Sequence, residues 1–157
     1  MRRSDREIKD LKEIMNVIQQ CDTCRVGLMD GKVPYIVPLN FGVREENGRI
    51  TLYFHSAPEG KKIRLMEENR VAGFEMDAAH ELIESDTACG YGMNYKCVLG
   101  FGTISFIDEF EEKKAALSIL MKQYTTNRDL PFSENMIKAV KVIRLEVEEI
   151  SCKCCNR

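Results

Sequence analysis

Tryptophan is absent and histidine is nearly so, with only His55 and His80 in the chain. That scarcity leaves little material for a His-rich metal site or a Ser-His-Asp triad, both of which need an imidazole at the reacting centre. Proline is limited to four residues, and no low-complexity tract, linker or internal repeat interrupts the sequence. No apolar run approaches the ~20 residues that a bilayer-spanning helix needs. The start, "MRRSDREIKDLKEIM", carries two arginines but no apolar segment before charge resumes, so it does not read as a secretory signal. Neither sign of charge dominates, with 23 basic and 25 acidic residues. A balance of that kind lacks the electrostatic footprint of a nucleic-acid or anionic-lipid binder. Glycine-rich G-x-G-x-x-G and Walker-type loops are also missing. The expectation is a cytoplasmic protein without nucleic-acid or membrane partners.

What is present suits one globular domain over residues 1–157, with 44% apolar and 31% charged residues. Seven cysteines are many, but the number is odd and the chain is long enough for an ordinary core, so reduced thiols are expected. "CDTC" at 21–24 and "CKCC" at 152–155 raise the question of a four-thiolate zinc site. C-x-C-C is not a standard second half, and the segment 151–157 reads as a disordered tail, so no metal is expected. Cys89 and Cys97 read as small buried apolar residues.

Residues 4–20 have the spacing of an amphipathic helix, opened by a Ser4/Glu7 capping box. "CRVGLM" and "VPYIVPLNFGV" read as strands around an Asp30-Gly31 turn, and Pro34 and Pro38 require an edge, bulge or break there. "ITLYFH" alternates as a strand, and a helix from about Pro58 to Glu68 follows. "VAGFEM" is a short strand, and 78–94 is mixed. "YKCVLGFGTISFI" is a long strand whose Gly100 and Gly102 signal a bend or a close backbone approach. A helix spans Glu109 to about Tyr124, and "AVKVIRLEVEEI" forms the last strand. Strands joined mostly by turns, with three inserted helices, predict a mainly β fold built as a closed or nearly closed antiparallel barrel.

Two stretches carry candidate chemistry. In "LYFHSAPEGKK", Ser56 and Glu59 fit a capping box and Pro58 suits an early helical position. That leaves Lys61 and Lys62 unexplained, because cations near a helix N-terminus face its partial positive charge. A bound phosphate would reverse the sign, using free N–H groups, the serine hydroxyl and the ammonium groups, with His55 as a further donor. A solvated helix start and an anion site stay equally open on these residues alone. In "YIVPLNFG", Ile36, Val37 and Leu39 suit a barrel wall. Asn40 sets an amide among apolar neighbours, where backbone or a flat heteroaromatic ligand could pair with it.

Taken in order, "MRRSDREIKD", "CRVGLMDGKVPYIVPLNFG", "LYFHSAPEGKKI" and "YKCVLGFGTI" resemble the 5-nitroimidazole-resistance proteins. Those belong to the pyridoxamine 5′-phosphate oxidase-like flavin-binding split barrels. The resemblance implies a six-stranded antiparallel split β-barrel, a homodimer, and FMN in interface clefts, with FAD as the alternative. It places the backbone of Val37, Pro38, Leu39, Asn40 and Phe41 beside the flavin ring. His55, Ser56, Lys61 and Lys62 fall at the phosphate, and Tyr95 and Lys96 come from the partner subunit. The implied activity is oxidoreduction, with NAD(P)H as donor and a nitroaromatic or similar acceptor. A flavin carrier or sensor without efficient turnover is the competing reading. No catalytic acid is assigned, although Tyr95, His80 and water are chemically competent. Pyridoxamine phosphate oxidation is disfavoured, because that enzyme's arginine-rich substrate elements are missing.

Overall fold

A computed structural model describes residues 3–127 and 130–156. Among the described residues there are eight strands: β1 (Glu7–Ile8), β2 (Cys24–Asp30), β3 (Val33–Leu39), β4 (Gly42–Glu46), β5 (Arg49–Ser56), β6 (Val71–Ile83), β7 (Gly92–Ile107) and β8 (Lys141–Cys155). Helices α1 (Leu11–Gln19), α2 (Lys61–Glu68), α3 (Phe110–Tyr124) and α4 (Glu134–Ala139) are set between them. Among the described residues, no helix is long and apolar enough to cross a membrane.

All strands belong to one antiparallel sheet in the order β3-β2-β6-β7-β8-β5-β4, with β1 paired to β8. The two ends of that order, β3 and β4, are consecutive in the chain and separated only by Asn40 and Phe41. Three residue steps reach at most about 11 Å, so the sheet must curl until its edges meet. The edges meet without pairing, which makes the barrel split. The mainly β class and the split-barrel form agree with the sequence, while the strand count is eight rather than six. Pro34 and Pro38 both lie on the edge strand β3, where a missing N–H costs no ladder bond on the open side.

Alternation along β5 divides the interior. Ile50, Leu52 and Phe54 enter the main core with Val26, Leu28, Met76, Val98, Ile104, Ile143 and Leu145. Tyr53 faces the other way and packs with Ile107, Val142 and Ala116 of α3, forming a second, smaller cluster. The main core also takes Ile14, Val17 and Ile18 from α1, and Ile63, Leu65 and Met66 from α2. Burial of each such side chain is worth about 1.5–3 kcal/mol, enough to hold an eight-residue helix that would be marginal in isolation.

Several elements differ from the sequence reading. The N-terminal helix does not span 4–20: Ser4–Arg6 form a 3₁₀ turn, Glu7 and Ile8 pair with β8, and α1 begins at Leu11. Its cap is Asp10, which accepts from the Glu13 N–H at 3.0 Å, so the Ser4/Glu7 box does not form. Strand β6 runs to Ile83 through a register shift between Ala78 and Glu81, beyond the short "VAGFEM" segment. The short helix α4 has no counterpart in the sequence reading. Residues 151–155 are not the disordered tail expected for 151–157. Residues 151–155 complete β8 and pair with β7, so they are ordered strand, and Arg157 lies outside the described residues. Gly102 sits at a register shift opposite β8, where a Cβ would collide with the Glu146 carbonyl oxygen. That is the close approach its position suggested.

Candidate functional site

The start of α2 differs from the sequence reading in a way that changes its chemistry. The helix begins at Lys61, not Pro58, so the two lysines are its first two residues. The N-cap is Gly60 at φ 130°, a left-handed conformation open to glycine and strained for other residues, and no side chain among the described residues caps the helix. Ser56 is not part of a capping box; it ends β5, where it is 6% exposed. Its hydroxyl oxygen is buried and has no hydrogen-bond partner among the described residues. A buried hydroxyl left unpaired is costly and unusual in a native protein.

Lys61 is not unopposed. Its ammonium donates to Asp30 Oδ2 at 2.7 Å and lies 4.7 Å from the centre of the Tyr35 ring. Arg64 approaches the same carboxylate at 3.7 Å and pairs with Glu68 at 2.7 Å. The hydrogen bond from Lys61, helped by the charges of Lys61 and Arg64, holds the Asp30 carboxyl below its ordinary value. Lys62 is half-buried. The β2–β3 hairpin and α2 thus meet around one ammonium group at the open side of the barrel.

Alternation separates the neighbours: His55 is exposed on β5 while Ser56 is buried. On β3, Val37 and Leu39 are half-buried against the main core, whereas Ile36 and Pro38 are exposed. Asn40 is also exposed, so water can satisfy its amide, and the need for a partner inferred from its apolar neighbours does not arise. Phe41 is fully buried, and its backbone N–H donates to Tyr124 Oη at 2.9 Å.

Tyr95 and Lys96 lie elsewhere in the chain. Tyr95 pairs with Cys155 and Lys96 with Cys154, whereas Ser56 pairs with Lys141 at the other end of β8. The contour from Lys141 to Cys155 is roughly 45 Å at about 3.3 Å per residue. Lys96 donates to Gln20 Oε1 at 3.1 Å, and Lys153 covers the Tyr95 ring at 5.4 Å. A single chain therefore does not bring this pair to Ser56, Lys61 and Lys62.

Sequence reasoning missed Asp30, Tyr35 and Tyr124. Asp30 was visible as a turn residue, but its contact with Lys61 joins positions distant in the chain. Of the other polar candidates, His80 bonds Asp77 at 2.8 Å, and Asp77 is in turn paired to Arg25. The cysteines are mostly packing residues. Burial pushes the Cys21 thiol up to about 12 and the Cys152 thiol to about 11, and pushes Cys24 up further still. A cysteine binds zinc as its thiolate, and no group of three or more His, Cys, Asp or Glu with metal-site geometry occurs among the described residues. Cys89 is exposed and Cys97 half-buried, contrary to their reading as core residues.

Comparison with known proteins places this architecture. The family model described as pyridoxamine 5′-phosphate oxidase matches residues 10–154. A crystal structure from Bacteroides thetaiotaomicron, provisionally described as a 5-nitroimidazole antibiotic resistance protein, is 35% identical with a TM-score of 0.81. The match covers 94% of this chain and 86% of that one. The flavocytochrome Anf3 from Azotobacter vinelandii shares the fold at 20% identity and a TM-score of 0.81, covering 100% of this chain and 72% of its own. An FAD- and heme-binding protein from Mycobacterium smegmatis does so at 17% identity and 0.83, covering 97% and 74%. No curated protein matches the chain. A family match over nearly the whole length, together with the split barrel it predicts, shows that the chain belongs to the pyridoxamine 5′-phosphate oxidase-like family and is similar within it to a 5-nitroimidazole-resistance protein.

Proposed function

We propose that this protein binds FMN at the open side of its barrel and acts as a flavin-dependent oxidoreductase. The observation that carries the reading is the buried Ser56 hydroxyl, unpartnered among the described residues, beside a helix start that no described side chain caps and that opens with Lys61 and Lys62. A phosphate monoester fits that donor set: free helix N–H groups, one hydroxyl and two ammonium groups. FAD is the alternative, with its diphosphate at the same donors. The exposed edge formed by Pro38 and Asn40 would lie beside the ring. The bound flavin would supply two-electron chemistry from NAD(P)H to a nitroaromatic or similar acceptor. The protein's part is to bind the phosphate, orient the ring and limit access of water.

The reading includes a homodimer. On the outer face of the sheet, Ile36, Gly27, Gly73 and Phe101 stand in one cross-strand row. Ile36 is 65% exposed and Phe101 37%, and a depression of about 330 Å³ beside them is lined by Ile36, Gly27, Gly73 and Phe74 together with the charged Arg25 and Glu75. Leu99 on the neighbouring row is 45% exposed. A patch of this kind favours a protein partner, and a second copy would supply the Tyr95 and Lys96 that a single chain holds far from α2.

Purified protein titrated with FMN, FAD and riboflavin tests the binding step, with light scattering to report mass. Tight FMN binding by a dimer is expected, and failure to bind any flavin would refute the proposal. Anaerobic addition of NADPH or NADH then tests turnover. Bleaching of the visible flavin band supports the oxidoreductase, and an unchanged band favours a carrier or sensor.

A further inference from the structure

The last turn of α3 fastens the place where the two edges of the sheet meet. Tyr124 Oη accepts the Phe41 backbone N–H at 2.9 Å and donates to the Asp22 carbonyl at 2.9 Å. One residue earlier, the Gln123 side-chain amide reaches the carbonyls of Ile18, Gln19 and Cys21 at 3.2, 3.3 and 3.0 Å. Ile18 and Gln19 end α1 and Cys21 lies in its connection to β2, so one helical turn gathers the α1–β2 connection and the β3–β4 joint together. The joint has little room to shift. The Phe41 ring is fully buried, and a Cβ on Gly42 would lie 2.5 Å from the backbone of Leu120.

We propose that Tyr124 is a positioning residue for the flavin seat, setting the spacing of the barrel's split through its hydrogen bond to Phe41. The inference rests on the flavin reading and adds a residue outside the segments that would touch the flavin. Asn40 and Phe41 connect β3, which would flank the ring, to β4. The Phe41 N–H is committed to Tyr124, so the exposed Asn40 amide is the side-chain donor left to face a ligand at this joint. Tyr124 is 38% exposed and the bond is only partly buried; removing the hydroxyl takes away the acceptor that fixes the Phe41 N–H, which then turns to water or to a new acceptor as the backbone of the joint shifts.

Tyr124→Phe separates this role from phosphate binding. The hydroxyl acts on the ring seat, so affinity for FMN and for riboflavin should both fall, by a similar factor of about tenfold. The visible absorption and fluorescence of the bound flavin should shift as well. Unchanged affinities and spectra would overturn the proposal, and so would a loss confined to FMN. If wild-type protein binds FMN while Tyr124→Phe behaves like it, only this inference fails; if wild-type protein binds no flavin, the functional reading itself fails. Amide hydrogen exchange on the wild-type protein guards against a variant that does not fold. The Phe41 amide should be far better protected than that of Asn40, and a rapidly exchanging Phe41 amide would overturn the proposal without any substitution.

Discussion

Helices α2 and α3 begin in opposite ways. Helix α3 starts as an exposed helix should: Glu109 caps it by accepting the Glu112 N–H at 2.8 Å, Glu111 and Glu112 occupy the first turn, and Lys122 sits in the last. Each of those charges complements the helix dipole. Helix α2 has glycine at the N-cap, no side-chain cap, two lysines in its first turn and no basic residue in its last. Folding alone does not favour that arrangement. It persists because Ile63, Leu65 and Met66 bury themselves in the core, at about 1.5–3 kcal/mol each, against about 0.3–1 kcal/mol for each misplaced exposed charge. The contrast marks a helix start whose donors are left unmet, with a buried hydroxyl unpaired among the described residues beside it, and that is the ground of the proposed phosphate site.

The largest expected effect comes from making α2 ordinary. Lys61→Ala combined with Lys62→Ala should weaken FMN binding about a hundredfold while changing riboflavin affinity little, as measured by fluorescence titration. Equal losses for both ligands would mean that the lysines act through folding, and the contrast with α3 would lose its functional meaning.

A smaller effect is expected at Asp30, the carboxylate that holds Lys61 before any ligand does. Asp30→Asn should release the ammonium group and remove a nearby negative charge, tightening FMN by about fivefold without affecting riboflavin. The same pair has a pH signature. Because the folded state lowers the Asp30 pKa from its ordinary 3.8, its stabilising contribution is present above that value. The contribution is lost as pH falls through the lower folded value. Acid unfolding should therefore be less steep in Asp30→Asn than in wild type, and identical acid limbs would count against a structural role for the pair.

The smallest effect is reserved for α3. Backbone hydrogen bonds, led by that from Glu112, hold the Glu109 carboxyl below its ordinary value. Glu109→Ala should lower Tm by about 2–4 °C, and both flavin affinities should stay as they are. A change in FMN affinity there would blur the distinction between a helix start that is capped and one that is left open.

The outer form of the molecule was largely legible in the sequence. Alternation in "ITLYFH" forecast a strand with Ile50, Leu52 and Phe54 on one face, and Pro34 and Pro38 forecast an edge, bulge or break, of which the edge is what the sheet contains, because both follow from backbone geometry at a single residue. Gly102 likewise marked a close approach. The boundaries of α1 and α2 were not legible. Ser4/Glu7 and Ser56/Glu59 both fit the capping pattern, but β1 pairs with β8 and β5 runs through Ser56, so ladder hydrogen bonds took the backbone that the caps needed. The "CKCC" segment was misjudged for a related reason, since its order comes from pairing with β7, a strand much earlier in the chain.

By itself the sequence determined which residues could take part: a serine, two lysines, a proline-interrupted edge and a family pattern linking them. Those are properties of residue type and short-range spacing. Only the tertiary structure decided that Ser56 is buried without a partner among the described residues, that Asp30 holds Lys61, and that Tyr124 ties down Phe41. Each of these depends on contacts between segments far apart in the chain, formed when the sheet curls and brings its two edges together.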